Sequence, residues 1–373
     1  MKSFTESQRG LLKVNVLYAI VVWGMMLMGF IMGFLMVFGI NPMAEPYGAG
    51  FSIYMVIAEA LPVLLPGIIL LMLPAGRGMI SSMRLKFRPS ALLAIPAGVA
   101  GYLLVLGISA LWMSLLSAIG LGQESGLPAP DGGAQLGASI LVIALWPALC
   151  EEFFFRGLML PAYEKHFKSP VKAVLFTGVL FAIVHGVVSG APGHIFLGLV
   201  MGALVVMTDS LWTGILYHIT NNAMAMLLAY VATAWSDQLG LGEGALAMID
   251  EEMSPLMMAL GGVGYLVVGG VLFILCVGLI WVVNRERMKE DPKLHPRALP
   301  AQSGPGGLPY GSPYTAYQDS VAAQNEAIRA MQGGGAKFLP YLPVVIAAPI
   351  IVMNYTATFL MMLFSGLGIG LQF

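Results

Sequence analysis

The sequence contains little charge for its length. Only 10% of its 373 residues are Asp, Glu, Lys or Arg, whereas 58% are hydrophobic, and an ordinary soluble domain is about 25% charged. So few charged residues could not cover the surface of a soluble globule, and the composition therefore predicts a protein of the lipid bilayer. The net charge of -1, with no basic aromatic-rich patch, predicts no nucleic-acid partner.

Cysteine is nearly missing as well. Cys150 and Cys276 are the only two cysteines, and both lie inside apolar runs. Two isolated thiols exclude a disulfide framework and a zinc-binding cysteine cluster. We interpret both as buried thiols.

The hydrophobic residues are grouped into nine runs. A transmembrane helix needs about 20 apolar residues, and only the fifth and sixth runs are shorter. These two runs flank the Gly/Pro turn at residues 189–193 and are predicted to form a helical hairpin. The sequence therefore predicts an all-α, polytopic transmembrane bundle of about eight core spans with one extra C-terminal span. The predicted spans are Val14–Ile40, Phe51–Pro74, Ser90–Leu121, Ala134–Leu160, Val171–Val188, His194–Thr208, Leu211–Ala234, Pro255–Val283 and Phe338–Gly366.

Positive charge marks one side of these spans. With nine crossings, every Lys and Arg except Arg156 falls in segments on the side of the N-terminus, and the charged residues of the other loops are acidic. Loops rich in Lys and Arg stay in the cytoplasm. We therefore expect a multi-pass membrane protein with a cytoplasmic N-terminus and an outside C-terminus.

The predicted spans divide the chain into three parts. Residues 1–283 would form a transmembrane core, with the motif-bearing part at 134–234. Residues 284–337 are rich in Pro, Gly and Ser and predict a cytoplasmic linker. Residues 338–373 would add the C-terminal span. The sequence shows no internal repeat of the kind from which many transporters are built.

Ionisable residues within the spans need an explanation, because each costs a few kcal/mol in hydrocarbon. Glu152 and Arg156 are four residues apart on one helix face, so we expect them to pair. Glu151 is turned about 100° away and is left free for chemistry. His218 and Asn222 are also four apart and can present two polar groups to a common point.

These groups also lie at a similar depth. At about 1.5 Å per residue, Glu151, His185 and the pair at 218 and 222 lie about 12–20 Å from the inner ends of their helices. This convergence predicts one polar site made by three helices. Packing is the alternative, since a membrane histidine often makes only an interhelical hydrogen bond. Arg156 could also extend to the inner surface, and paired glutamates occur in proton pathways.

The three clusters resemble the motifs of a known family. The fourth span carries an EExxxR pattern at 151–156, the fifth an FxxxH pattern at 181–185, and the seventh an HxxxN pattern at 218–222. The chain thereby resembles the CPBP group of intramembrane proteases, which includes CAAX prenyl proteases of the second type and bacterial abortive-infection-like proteins. The resemblance covers about residues 134–234, and the ninth span departs from the core of the family.

The resemblance implies an intramembrane endopeptidase that hydrolyses a peptide bond of a membrane-associated protein or peptide, which is lipidated for some members. A non-enzymatic transporter, immunity protein or scaffold that retains the motifs is the alternative. A water-filled cavity would favour the protease, and a packed core around Glu151 the scaffold. The resemblance assigns Glu151 and His185 to the water, His218 and Asn222 to the oxyanion, and Glu152 and Arg156 to support of the site.

Two histidines and a glutamate also raise the question of zinc, because His₂Glu is a catalytic zinc set. If zinc were bound, Glu151, His185 and His218 would be its ligands. Asn222 is a poor zinc ligand and a good hydrogen-bond donor, and no HExxH pair supplies a separate base. The sequence therefore favours a metal-free, glutamate-activated water and no cofactor, with Zn²⁺ as the alternative.

The sequence contains two further ionisable residues that are candidates for the site. Glu59 in the second span either lines the cavity or lies at the outer interface, and we favour the interface. His194 lies beside the Gly/Pro turn and is interpreted as solvated. Neither residue is assigned to the site.

Overall fold

The computed structural model describes residues 4–121, 128–238, 254–290 and 338–366, and these contain only helices, turns and connecting segments. Eight helices have the length and hydropathy of membrane spans, and Pro170–His185 is a shorter apolar helix. The chain is therefore an integral multi-pass membrane protein, and the predicted all-α bundle is confirmed. The helices are α1 (Glu6–Val37), α2 (Ala49–Met72), α3 (Pro89–Ala118), α4 (Gly132–Phe167), α5 (Pro170–His185), α6 (Ala191–Thr208), α7 (Leu211–Gln238), α8 (Pro255–Glu290) and α9 (Leu342–Gly366).

Two helices extend beyond the apolar runs that predicted them. Helix α1 begins at Glu6 because Thr5 accepts a hydrogen bond from the backbone of Gln8, whose side chain accepts one from the backbone of Thr5. Helix α8 continues to Glu290, so the first residues of the predicted linker are helical. The rest of that linker, with the acidic outer-loop residues at 124, 243 and 250–252, lies outside the described residues.

Three π-helical segments interrupt α2 and α4, at Ala60–Leu64, Ile140–Leu145 and Phe153–Met159. Each of them ends two residues before a proline. A proline has no N–H for the carbonyl four residues earlier, and its ring crowds that carbonyl, so a wider turn relieves the clash. The prolines are Pro66, Pro147 and Pro161.

Basic residues meet at one end of the bundle, here called the basic face. Arg84 pairs with Glu164 at 2.9 Å and with Asp209 at 3.1 Å, and Arg88 pairs with Asp209 at 2.7 Å. Burial opposes ionisation of Asp209, but the hydrogen bond from Arg88 and the charges of Arg84 and Arg88 hold the pKa of its carboxyl below its ordinary value. These contacts join the loop between α2 and α3 to the turn between α6 and α7. The basic face carries Lys13, Arg77, Arg84, Arg88, Lys165, Lys172 and Arg287.

The other end of the bundle is called the opposite face. It contains the turn at 38–48 and the turn after α3 at 119–121, and the turn at 186–190 lies on the same side of the bundle. The structure thus separates the two sets of segments that the charge pattern assigned to two sides. Which compartment each face meets stays a prediction.

Candidate active site

Helix α5 ends inside the bundle and carries His185 in its last turn. It stops there because Gly186 adopts a positive φ of 65°, which glycine tolerates well. The last carbonyl groups of a helix have no partner within it. Two side chains of α9 satisfy them, since the Tyr355 hydroxyl donates to Ala182 O and the Thr358 hydroxyl to Gly186 O, each at 3.3 Å. The ninth span therefore holds the helix end that carries His185.

Glu151 on α4 and His185 face each other. Nε2 of His185 lies 3.9 Å from Oε2 of Glu151. Nδ1 of His185 lies 2.7 Å from the carbonyl oxygen of Phe181, and a carbonyl can only accept, so Nδ1 carries a proton. In the neutral ring Nε2 is then an acceptor. Oε2 of Glu151 is buried and has no hydrogen bond to any described residue, so two acceptors face one another.

Glu152 and Arg156 pair as their spacing predicted. Nη1 of Arg156 lies 2.7 Å from Oε1 of Glu152, and the two side chains are 1% and 0% exposed. Nη2 donates to the carbonyl of Gly198 at 2.9 Å, and the guanidinium lies 4.5 Å from the centre of the Phe181 ring. These contacts offset the cost of burying the charge. Arg156 therefore does not extend to the inner surface, and that alternative is wrong.

Two glycines make room for this pair. A Cβ at Gly214 would lie 2.5 Å from Oε2 of Glu152. A Cβ at Gly198 would lie 2.5 Å from the carbonyl oxygen of Gly178, so α5 and α6 approach closely at this level. A side chain at residue 214 would press on Glu152, and one at residue 198 would force α5 and α6 apart.

His218 and Asn222 on α7 complete the site. His218 is 3% exposed, and its Nδ1 lies 3.4 Å from Oε1 of Glu152 without the geometry of a hydrogen bond. Asn222 donates from Nδ2 to the carbonyl of Ile143 at 3.3 Å. Pro147, four residues after Ile143, has no N–H to offer that carbonyl. The proline thus creates the acceptor that fixes the Asn222 amide, and the second amide N–H makes no other hydrogen bond among the described residues.

A cavity of about 390 Å³ brings these groups together. It lies within the range of ligand-binding pockets. Glu151, His185, His218 and Asn222 all line it, whereas the Glu152–Arg156 pair does not. Most of the other lining residues are apolar, so the four polar side chains converge in a largely hydrophobic space.

Two residues that we placed outside the site also line this cavity. Glu59 is 9% exposed, and its Oε2 has no hydrogen bond to the described residues, so the expected interfacial position is wrong. The ring of His194 stacks on that of His185 with 4.2 Å between centres, so His194 is not solvated as expected. The sequence signal for Glu59 was the proline that interrupts α2, Pro66. No spacing rule links residues 185 and 194 across a turn.

The alternative zinc set does not fit this arrangement. His218 faces Glu152 rather than Glu151, while His185 faces Glu151. No group of three or more His, Cys, Asp or Glu side chains within the described ranges is arranged to hold a metal ion. The arrangement therefore gives no support to the zinc set, and the choice between zinc and a metal-free water stays a prediction.

The motif-bearing segment matches a known family. Residues 134–224 match the family model described as Type II CAAX prenyl endopeptidase Rce1-like, which is consistent with the CPBP group. All three motifs lie within these residues. No curated protein and no solved structure matches the chain. The family supports an intramembrane endopeptidase in general terms.

Proposed function

We propose that the chain hydrolyses peptide bonds with a water activated by Glu151 and His185, because residues 134–224 match the Rce1-like type II CAAX prenyl endopeptidase model. The observation that carries this proposal is the pair of facing acceptors, Oε2 of Glu151 and Nε2 of His185, 3.9 Å apart. One water has two O–H donors, and hydrogen bonds of about 2.7–2.8 Å to both acceptors suit that separation. A water held in this way keeps a lone pair for attack.

The reaction is hydrolysis of an amide. The water oxygen forms a bond to the carbonyl carbon while Glu151 accepts a proton, and negative charge moves to the carbonyl oxygen. The free N–H of Asn222 and Nε2–H of His218 donate to that oxygen. The C–N bond then breaks, and the proton held by Glu151 passes to the leaving nitrogen. The products are an amine and a carboxylic acid.

Glu152 and Arg156 act through His218 in this proposal. Oε1 of Glu152 lies 2.7 Å from Arg156 and 3.4 Å from Nδ1 of His218. The carboxylate lies on the Nδ1 side of the imidazole ring, which leaves Nε2–H to donate to the oxyanion in the cavity. Glu152 is therefore a positioning residue that acts on the orientation of the His218 ring.

The proposed site uses no metal and takes a membrane-associated protein or peptide as its substrate within the bilayer. The separate orientations of His185 and His218 support this choice. We expect cleavage by the detergent-purified protein to survive exhaustive chelation. One zinc per chain, with activity lost on its removal and restored by its return, would overturn the metal-free proposal.

The main test compares protein termini by mass spectrometry in cells that express the wild-type chain or E151Q. Termini that arise within membrane-associated proteins should fall by about 100-fold or more in E151Q, because the base is lost and the shape is kept. The matched control is E45Q, which alters an exposed glutamate in the turn before α2. Unchanged termini in E151Q would reject the assignment.

A transporter is the second candidate, and one observation favours it. The π-helical segments break α2 and α4 beside an acidic cavity, as broken helices do at the sites of transporters. The cavity argues against a scaffold, because a scaffold would have a packed core around Glu151. Solute uptake that depends on Glu59 and Glu151, with protein termini unchanged in E151Q, would favour the transporter.

A further inference from the structure

A smaller pocket lies at the basic face, apart from the cavity that holds Glu151. It has a volume of about 200 Å³ and shares no described lining residue with that cavity. The first turns of α1, the turn after α2 and the last turns of α4 form its walls. We call it the basic pocket. Its charged lining residues are Glu6, Arg9, Lys13, Arg77 and Lys165.

Four cationic side chains thus share this pocket with one carboxylate among the described residues. Glu6 pairs with Lys165 at 2.7 Å, and Nζ of Lys13 donates to the carbonyl of Ala75. The side chains of Arg9 and Arg77 make no ion pair or hydrogen bond within the described ranges. Cations gathered in one concavity repel one another, so the pocket favours an anion that offsets their charge.

Other cations of the basic face are paired. Arg84 and Arg88 have Glu164 and Asp209 as their partners. The charge pattern that orients a membrane protein requires only that Lys and Arg lie on one side of the bilayer. It does not require two arginines to stay unpaired in one pocket, so orientation alone does not account for the basic pocket.

Two of the lining residues are glycines, and they keep the pocket open. A Cβ at Gly10 or at Gly78 would meet no atom within 4 Å, so each position borders open space. The backbone therefore leaves room for a phosphate group among the cationic side chains.

The basic pocket lies where three membrane spans begin or end, which is the level of the lipid headgroups. Leu158 and Pro161 form an apolar part of its wall. In the segment after α2, Met72 and Ile80 are 81% and 54% exposed. A phosphate in the pocket would thus lie beside a surface that suits acyl chains.

We propose that the basic pocket is an anion site for a phosphate group, and that this group belongs to an anionic lipid of the adjacent leaflet. Arg9 and Arg77 bind the phosphate directly, because a guanidinium group can donate two parallel N–H groups to it. Lys13 and Lys165 add positive charge. The site is separate from the cavity of Glu151, so the proposal does not depend on peptide hydrolysis.

The test titrates the detergent-purified chain with phosphatidylglycerol or phosphatidylcholine and counts bound lipid by native mass spectrometry. The wild type should bind phosphatidylglycerol at least about tenfold more tightly than phosphatidylcholine, which has no net charge. In R9Q/R77Q the affinity for phosphatidylglycerol should fall by about 30-fold, because each cation near a headgroup contributes about a factor of five. Both arginines are exposed, so their substitution disturbs no packing.

The matched control is R285Q/K289Q. It removes two cations of α8 that are 51% and 66% exposed and do not line the pocket. Its charge changes by the same amount as that of R9Q/R77Q, yet it should bind phosphatidylglycerol like the wild type. Equal weakening in both double variants would show that only the overall charge matters and would overturn the proposal.

E6Q should have the reverse effect. It removes the carboxylate from the pocket and frees Lys165 from its partner, so phosphatidylglycerol should bind about fivefold more tightly. A misfolded protein would not gain affinity for one lipid alone. If R9Q/R77Q does not fold, E6Q decides, and unchanged or weaker binding in E6Q rejects the proposal.

Inorganic phosphate alone separates the two sources of the anion, with the melting temperature as the measurement. If it stabilises the wild type but not R9Q/R77Q, while both bind phosphatidylglycerol equally, the anion site stands and its ligand comes from solution. Equal lipid binding in these two proteins, with no effect of inorganic phosphate, would overturn the proposal. Equal affinity of the wild type for the two lipids would overturn the assignment to an anionic lipid.

Discussion

The site has two halves that differ in how buried charge is paired. The closed half is the Glu152–Arg156 pair with His218, and the open half is the cavity side with Glu59 and Glu151. In the closed half, Glu152 has Arg156 at 2.7 Å and His218 at 3.4 Å. In the open half, Glu59 and Glu151 have no Lys or Arg partner within the described ranges, and one buried oxygen of each, like Oε2 of Glu152, makes no hydrogen bond there. A buried carboxyl group without a partner is costly, and membrane proteins retain such groups mainly for function. In the proposed function, the closed half supports the site and the open half carries its chemistry.

The contrast is sharpest between neighbours in sequence. Glu151 and Glu152 follow one another on α4, yet one lines the cavity and the other faces the ion pair. The rotation of about 100° per residue separates them. Adjacent glutamates can thus have different roles, because a helix presents them to different neighbours.

The largest expected effect on stability is in the closed half. E152Q leaves Arg156 without its counter-charge in a fully buried position, so the free energy of unfolding should fall by about 3–5 kcal/mol. E151Q should unfold like the wild type, because Oε2 of Glu151 loses no bond. Thermal or denaturant unfolding in detergent measures both variants.

A second substitution tests whether the charge of Arg156 causes this loss. In E152Q/R156M the unpaired cation is gone, so part of the lost stability should return. If the double variant is no more stable than E152Q, the ion pair is not the cause. Equal stability of E152Q and E151Q would remove the distinction between the two halves.

A smaller effect is expected from crowding of the closed half. G214A places a methyl group 2.5 Å from Oε2 of Glu152 and 2.8 Å from the Val205 side chain, so these groups must shift. Overpacking of this kind costs about 1–3 kcal/mol. G261A is the matched control, because a Cβ there meets nothing within 4 Å. Stability of G214A at or above that of G261A would contradict the close fit around Glu152.

The sequence predicted the closed half well because its geometry is local. The spacing of Glu152 and Arg156 alone brings their side chains together on one turn, and the hydrophobic runs located the nine long helices of the described residues. The depth of Glu151, His185 and His218 followed from the helix rise. The spacing of two residues on one helix and the depth of a residue along its helix depend only on positions within that helix.

The open half was predicted less completely because it depends on how helices pack. Glu59 reaches the cavity from α2, and no sequence separation reports that α2 lies beside α4. His194 stacks on His185 across the turn between α5 and α6. The hydrogen bonds from Tyr355 and Thr358 to α5 likewise join distant parts of the chain.

The open half gives the next prediction. E59Q removes a carboxyl group that has no hydrogen-bond partner for Oε2, so its free energy of unfolding should equal or exceed that of the wild type. E152Q is the matched Glu-to-Gln comparison, and both are followed by unfolding in detergent. If E59Q is destabilised as much as E152Q, Glu59 has a structural partner and the two halves do not differ.

The smallest effect on stability is expected outside the membrane, at Asp209 on the basic face. The charge of Asp209 is paired, as in the closed half, but it is partly exposed. Its folded pKa is lowered, so its pairing with Arg84 and Arg88 contributes stability above the unfolded pKa of about 3.9 and loses it as the pH falls through the folded value. D209N keeps the positive φ of 51° accessible, because asparagine tolerates it.

The difference in melting temperature between the wild type and D209N should therefore be constant from about pH 8 to pH 5 and shrink below about pH 4. It should be small and should fall with added salt, because the Asp209 side chain is 37% exposed and water screens its charge. Measurement of both proteins at each pH cancels the titration of other carboxyl groups. A difference that grows on acidification would show that Asp209 is not stabilised by these arginines. A loss as large as that of E152Q would show that exposure does not separate the basic face from the buried pair.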